Sequence, residues 1–182
     1  VTLVGVLLAD LTLFSGDYRA GERTFDLLTQ AAGRAGRGDV PGKVVIQTYK
    51  PDNYAITAAA SQDYRAFYDI EEAYRSLMRY PPEWNMMVIM GTGMDEEQLA
   101  NIMDRMYSLI RGKYINAGHL SVIGPSEPAI SKIKDVYRRV LYIKHRDYRM
   151  LVDVKDYVEE WLKENGENDV SVFFDLNPVN MY

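Results

Sequence analysis

The sequence predicts two architectures in tandem, α/β followed by α+β, and three observations carry the prediction. An apolar, β-branched run at Val1–Leu8 precedes a helical stretch and a second such run at Lys43–Tyr49. That strand–helix–strand order is the grammar of a parallel sheet. From Asn85 onward, strand-like and helix-like segments follow one another as β-α-β-β-α-β, a split sandwich with two helices on one face of an antiparallel sheet. Between the two parts the composition shifts once, at Tyr80-Pro81-Pro82, where consecutive prolines favour extended backbone and cannot continue a helix. Domains are therefore expected over residues 1–80 and 81–182.

The elements of the first part follow in order. Val1–Leu8 reads as a strand buried on both faces. Ser15–Arg23 is polar and turn-like, and Phe25, Leu28 and Ala32 then recur at helical spacing until the glycine-rich stretch Gly33–Gly38. Lys43–Tyr49 is a strand closed by Pro51, and helices are expected over Ala55–Ala60 and Tyr64–Met78. Two strands cannot close a core, so this part reads as the tail of a larger α/β domain.

In the second part, Asn85–Met90 is a strand. Leu99, Ile102, Met103, Met106, Leu109 and Ile110 stripe one face of a helix. Asp95, Glu96 and Glu97 sit in its first turn and Arg111 and Lys113 at its end, both favourable to the helix dipole. His119–Ile123 is a strand stopped by Gly124-Pro125, and Val136–Lys144 is a long alternating strand. Leu151, Val154, Val158, Trp161 and Leu162 stripe a last helix ended by Asn165-Gly166. Val170, Val172, Phe174 and Leu176 alternate in a closing strand.

Composition narrows the function classes. The chain has 182 residues, 47% hydrophobic and 26% charged, which is ordinary for a globular protein. No stretch approaches the roughly 18 apolar residues of a membrane span, and the opening run is too short and lacks the basic lead of a signal peptide. With no cysteine, a disulfide framework and a thiolate zinc site are excluded, in agreement with a reducing compartment. His119 and His145 have no partners at ligand spacing, so no metal site is expected. Asp69, Glu71 and Glu72 read as a solvated helix face, and the methionines between Met86 and Met106 as core filler. The chain opens at Val1 inside a strand-like run, which suggests a piece of a longer protein.

Two segments carry chemistry. In Gln30-Ala31-Ala32-Gly33-Arg34-Ala35-Gly36-Arg37, two arginines follow a helix, separated by small residues. Glycines let backbone approach a ligand, and the planar guanidinium suits bidentate contact with phosphate oxygens. An arginine brought to a γ-phosphate stabilises the charge that develops as it transfers. The plainer alternative is a glycine-rich helix end with two solvated arginines. The second segment is Ile130–Arg149, where seven basic residues meet only Asp135 and Asp147, giving +5 within a chain of net charge -5. Lys132, Lys134, Arg138, Arg139 and Lys144 alternate with tyrosines, among them Tyr142. Cations that track phosphates beside rings that stack on bases make a single-strand platform. A charged edge strand that resists aggregation explains the same pattern equally well.

The spacing Q-x-x-G-R-x-G-R at Gln30–Arg37 resembles motif VI of superfamily 2 helicases. The flanks Leu13-Phe14-Ser15, Asp17-Tyr18-Arg19-Ala20, Glu22-Arg23, Gly42–Thr48 and Tyr80-Pro81-Pro82 resemble something narrower. Together with Ile123-Gly124-Pro125 and the closing Asp175-Leu176-Asn177-Pro178 they are similar to the C-terminal part of the PriA family, the primosomal replication-restart DNA helicases of bacteria.

That resemblance implies a RecA-like helicase lobe tail carrying motifs V and VI, followed by a DNA-binding C-terminal domain. It implies that Gln30, Arg34 and Arg37 face ATP, with Arg37 as the arginine finger, and that Asp10, Asp17 and Arg19 lie in a loop coupling nucleotide state to DNA. It turns the basic segment toward DNA, with Lys132, Lys134, Arg138, Arg139, Tyr142 and Lys144 as contacts. The intact enzyme would use ATP and Mg²⁺ for 3′-to-5′ unwinding and hold zinc, both outside these residues, so this chain alone is expected to bind single-stranded DNA without hydrolysing ATP. Implied partners are single-stranded and forked DNA, single-strand-binding protein and primosome or helicase-loader proteins, in the bacterial cytoplasm with no membrane. The alternative is a non-enzymatic nucleic-acid-binding or protein-docking module.

Overall fold

In the computed structural model, which describes residues 2–35, 42–165 and 169–182, the chain forms two units, Val1–Leu77 with Met181 and Met78–Asn180 with Tyr182. The first contains β1 (Leu3–Val6), a single 3₁₀ turn at Ala9–Leu11, α1 (Ala20–Ala32), β2 (Lys43–Ile46), α2 (Tyr54–Ser61) and α3 (Tyr64–Leu77). β1 and β2 pair in parallel, Leu3 opposite Lys43 and Val6 opposite Ile46. The helices supply most of the core. Phe25 and Leu28 of α1, Ala55, Ile56 and Ala59 of α2, and Phe67 of α3 are buried together, with Val6 and Ile46 packed against them. The Phe25 and Phe67 rings stack with centroids 4.3 Å apart. α2 starts where the Asn53 side chain accepts the Ala55 amide at 3.0 Å, a standard N-cap. The expectation that Val1–Leu8 is buried on both faces is corrected: Leu3 is 58% exposed, because among the described residues this sheet packs on the helices from one face.

The second unit contains β3 (Asn85–Gly93), α4 (Glu96–Tyr114), β4 (Ser121–Ser126), β5 (Lys132–Ile133), β6 (Val136–His145), α5 (Tyr148–Asn165) and β7 (Val170–Leu176). Its sheet runs β4-β6-β3-β7, with the two-residue β5 hooked onto β6, and every pairing is antiparallel. Asp95 caps α4, accepting the Gln98 amide at 3.0 Å, and the acidic start and basic end of that helix complement its dipole. Met87 and Ile89 of β3 and Leu141 and Ile143 of β6 are buried with Leu99, Met103 and Ile110 of α4 and Leu151, Val154 and Val158 of α5. Both helices thus cover one face of the sheet, since side chains alternate between faces along each strand. A Cβ on Gly91 would come within 2.6 Å of Met103 Sδ, so glycine there lets α4 approach closely.

The closing Asn177 ties the last strand to β3. Its amide donates to the Met86 carbonyl at 2.7 Å and its side-chain oxygen accepts the Met86 amide at 2.9 Å. It does so with φ at 52°, a left-handed conformation that asparagine tolerates better than most residues.

Three expectations shift. β4 begins at Ser121, because His119 has a φ of 73° and belongs to the preceding loop. Gly124-Pro125 does not stop β4; the register against β6 breaks between Ile123 and Ser126 and the strand continues. A proline is tolerated there because β4 lies at the sheet edge. Glu71 does not lie on a solvated face: it is 5% exposed and serves a polar cluster described below. Among the described residues, no helix is long and apolar enough to cross a membrane.

Candidate nucleotide-facing and nucleic-acid-facing sites

The buried face of α1 is formed by Gly21, Thr24, Phe25 and Leu28, which leaves Gln30, one half-turn on, exposed. The helix closes at Gly33, whose amide reaches the Thr29 carbonyl at 2.9 Å, and the Arg34 amide takes the Ala31 carbonyl at 3.1 Å in a tighter turn. Arg34 is exposed immediately after this turn. Gln30 and Arg34 thus stand at one helix end, available to a phosphate. Arg37, the expected finger, lies outside the described residues.

The loop residues are anchored. Asp10 is 2% exposed and accepts the Thr48 hydroxyl at 2.7 Å and the Tyr49 amide at 2.9 Å, clamping the segment after β1 to the segment after β2. Burial pushes its pKa up, but the hydrogen bonds from Tyr49 and Thr48 outweigh it and leave the carboxyl below its ordinary value. Asp17 accepts the Arg19 amide at 2.9 Å and pairs with Arg23 at 3.1 Å. The Arg19 guanidinium lies 5.3 Å from the centre of the Tyr18 ring. The two carboxylates therefore hold the two ends of one loop, each through its own partners.

Below α1 sits a polar cluster that the residue pattern does not announce. The Tyr54 hydroxyl donates to Glu71. Arg75 bridges Glu71 and Glu22, at 2.7 Å each. Burial, then the hydrogen bond to Glu71, raises the Tyr54 pKa far above its usual range. Gly21 packs against this pair: a Cβ there would collide with the Tyr54 hydroxyl and come 2.8 Å from Glu71 Oε2. The only sequence signal is the i,i+4 spacing of Glu71 and Arg75, which an exposed pair shares.

On β6 the register sets Arg138 opposite Thr92, Tyr142 opposite Val88 and Lys144 opposite Met86, so the three share the face away from the helices. Arg139, opposite Gly91, points to the other face. Lys144 is 5% exposed. It donates to the Met78 carbonyl at 3.1 Å and lies 3.5 Å from the centre of the Tyr80 ring. Burial, assisted by the positive charge of Arg79, lowers its pKa to about 8. Its expected role as a phosphate contact is corrected on this ground, because an ammonium enclosed by a carbonyl and a ring does not reach a strand in solvent. Arg138 donates to the Ile130 carbonyl at 3.2 Å, and the Tyr142 hydroxyl to the Tyr182 carbonyl at 2.9 Å. Lys132 reaches the Tyr137 hydroxyl at 3.1 Å and lies 3.9 Å from Asp135. Lys134 is exposed in a turn with φ at 54°. Lys132 and Lys134 are the two exposed members of the expected set.

Counting charge along one segment also overlooks a second set of cations, Arg79 and Arg111, which line one cavity although they are far apart in sequence. Among the described residues, no group of three or more His, Cys, Asp or Glu side chains could hold a metal ion.

The family match and the curated relatives point to one lineage. Residues 76–179 match the family described as the primosomal protein N C-terminal domain. Along its whole length the chain is 37% identical to the replication restart protein PriA of Bacillus subtilis, covering 22% of that protein. It is 31% identical to the replication restart protein PriA of Synechocystis sp. over 100% of its length, covering 21% of that relative. The replication restart protein PriA of Haemophilus influenzae gives 31% identity, again over 100% of this chain and 24% of the relative. The chain spans about a fifth of the length of these curated relatives, from 21% to 24%.

Proposed function

The chain belongs to the PriA family of replication-restart proteins, and from that premise we propose that it is the C-terminal part of an ATP-dependent DNA helicase that restarts stalled replication forks. In this reading the first unit is the end of the second, RecA-like motor lobe and the second unit is a DNA-binding domain. The observation that carries it is the exposed pairing of Gln30 and Arg34 at the end of α1, leading into Gly36-Arg37.

The division of labour follows from the side chains. ATP and its Mg²⁺ are held by another part of the protein. Arg37 approaches the γ-phosphate from this side, where its fixed positive charge stabilises the charge that develops on the phosphoryl oxygens. Arg34 is the supporting phosphate contact, and Gln30 faces the nucleotide with them. The clamp of Asp10 on Thr48 and Tyr49 joins the segments after β1 and β2, and in this reading the loop from Asp10 to Arg19, fixed at both ends, couples nucleotide state to DNA. Strand separation in the 3′-to-5′ direction, primosome assembly, and docking of single-strand-binding and helicase-loader proteins are the family role this arrangement serves.

The test is Arg37→Ala in the full-length protein, with DNA-stimulated ATP turnover as the readout. Removing an arginine finger lowers turnover by a factor on the order of 10³ or more. A change smaller than about tenfold with DNA bound would defeat the assignment. The chain by itself binds single-stranded DNA without hydrolysing ATP; measurable phosphate release from it would count against the reading.

A further inference from the structure

We propose that the cavity between the end of α4 and the start of β4 is a phosphodiester site, in which Arg79 and Arg111 hold the backbone of a single-stranded nucleic acid. The proposal rests on the nucleic-acid-binding reading above and places the main phosphate grip away from β6.

The cavity has a volume of about 420 Å³ and lies wholly within the second unit. Arg79, Arg111 and His119 line it, with Tyr114 and the Asn116–Gly118 backbone, and no carboxylate is among its lining residues. Both arginines are exposed, and their contacts within the unit are to neutral groups. The Arg111 guanidinium donates to the Tyr107 hydroxyl at 2.9 Å, and that of Arg79 lies 5.0 Å from the centre of the Trp84 ring. Among the described residues neither arginine forms an ion pair, in contrast to Lys132 beside Asp135. A guanidinium presents several donors in one plane that suit phosphate oxygens, and two of them line this one cavity.

The walls are held in place. Trp84 is 5% exposed. Arg79 lies over it, Arg146 lies 5.4 Å from its centre, and the His119 ring meets it edge-on with centroids 6.5 Å apart. The loop after α4 is tied by the Ala117 amide to Tyr114 and the Leu120 amide to Ala117, and His145 Nε2 braces the Gly118 carbonyl at 3.1 Å. The lining is mainly polar, which suits a hydrated phosphodiester rather than the apolar anchor that an acidic peptide needs for tight docking.

The experiment is a titration of the chain into fluorescein-labelled oligothymidylate across a range of salt concentrations, read by anisotropy. Neutralising both arginines, as Arg79→Gln with Arg111→Gln, should weaken binding by about tenfold or more at low salt. It should also reduce the slope of log affinity against log salt by about 1.4, two phosphate contacts at about 0.7 each on a single strand. Arg79→Lys with Arg111→Lys should restore most of the slope. Arg111→Gln alone, on the exposed surface of α4, guards against misfolding of the double variant and should reduce the slope by about 0.7. If the parent chain binds and the glutamine variants keep its affinity and slope, the cavity assignment is overturned while nucleic-acid binding stands. If an aspartate-rich peptide binds in an Arg111-dependent manner and the oligonucleotide binds without dependence on Arg111, the cavity assignment is likewise overturned. If the parent chain does not bind the oligonucleotide at all, both the cavity assignment and the nucleic-acid reading fall.

Discussion

Lys144 lies with its ammonium 3.5 Å from the centre of the Tyr80 ring, while its Nζ donates to the Met78 carbonyl. A cation on β6 thereby holds the segment that leads into β3, within the second unit and just ahead of the Pro81-Pro82 pair. The ring face and the carbonyl replace part of the water that the ammonium loses, but not all of it.

That shortfall gives a pH dependence. Burial, then the nearby charge of Arg79, depresses the Lys144 pKa to about 8 from the ordinary 10.5. The folded state therefore releases its proton before the unfolded state does. Between those two values the unfolded chain binds more protons, so stability rises with pH. The cost of the buried charge is present in full below about pH 8 and is relieved as pH climbs toward 10.5. Thermal unfolding at pH values spanning this window should show the second unit gaining on the order of 1 to 3 kcal/mol. Lys144→Met, which cannot titrate, should flatten that gain; an equal rise in the variant would assign it to other groups.

How much is legible in the sequence depends on whether a residue acts through its neighbours in the chain or through depth. β7 is read from Val170, Val172, Phe174 and Leu176 alone, and its observed span is Val170–Leu176, because alternation is a local property. The α4 stripe is equally local. Lys144 and Glu71 are misplaced by sequence because charge counting carries no information about burial; one is put on a binding face and the other on a solvated one. The β4 edge strand is cut short at Gly124-Pro125 because proline punctuates most strands, and only the sheet order shows that this one is peripheral. Arg79 and Arg111 lie on either side of β3 and most of α4 in the chain, so only the fold brings them to one cavity.

Gly21 reverses the usual rule for helix glycines. In an exposed helix interior, alanine is better than glycine by about 1 kcal/mol, and Gly112 of α4, with open space around it, should follow that rule. At Gly21 a Cβ runs into the Tyr54 hydroxyl and Glu71, which are bonded to each other, with Glu71 held in turn by Arg75. Gly21→Ala should therefore destabilise by about 1 to 3 kcal/mol through overpacking, while Gly112→Ala stabilises by up to about 1 kcal/mol. Urea unfolding of the two variants measures both signs, and a stabilising Gly21→Ala would show that the polar cluster yields.

Asn177 performs two tasks that substitutions can separate. Its side-chain oxygen accepts the amide of Met86 at 2.9 Å, and Met86 is fully buried. Its side-chain nitrogen donates to the Asn85 side chain at 3.1 Å, and its backbone adopts φ 52°. Asn177→Ala orphans the Met86 amide, at about 1 to 3 kcal/mol, and places a residue without a local polar side chain in the left-handed region, adding about 1 kcal/mol. Asn177→Gly loses the same hydrogen bonds but accepts the conformation, so it should be less damaging than alanine despite its greater unfolded-state freedom. Asn177→Asp keeps an acceptor for Met86 and should cost least. The order Asp, Gly, Ala in increasing loss of unfolding free energy is the expected outcome of denaturant titration. An alanine variant as stable as the parent would mean that the Met86 amide finds another partner and that this link does not hold β7 to β3.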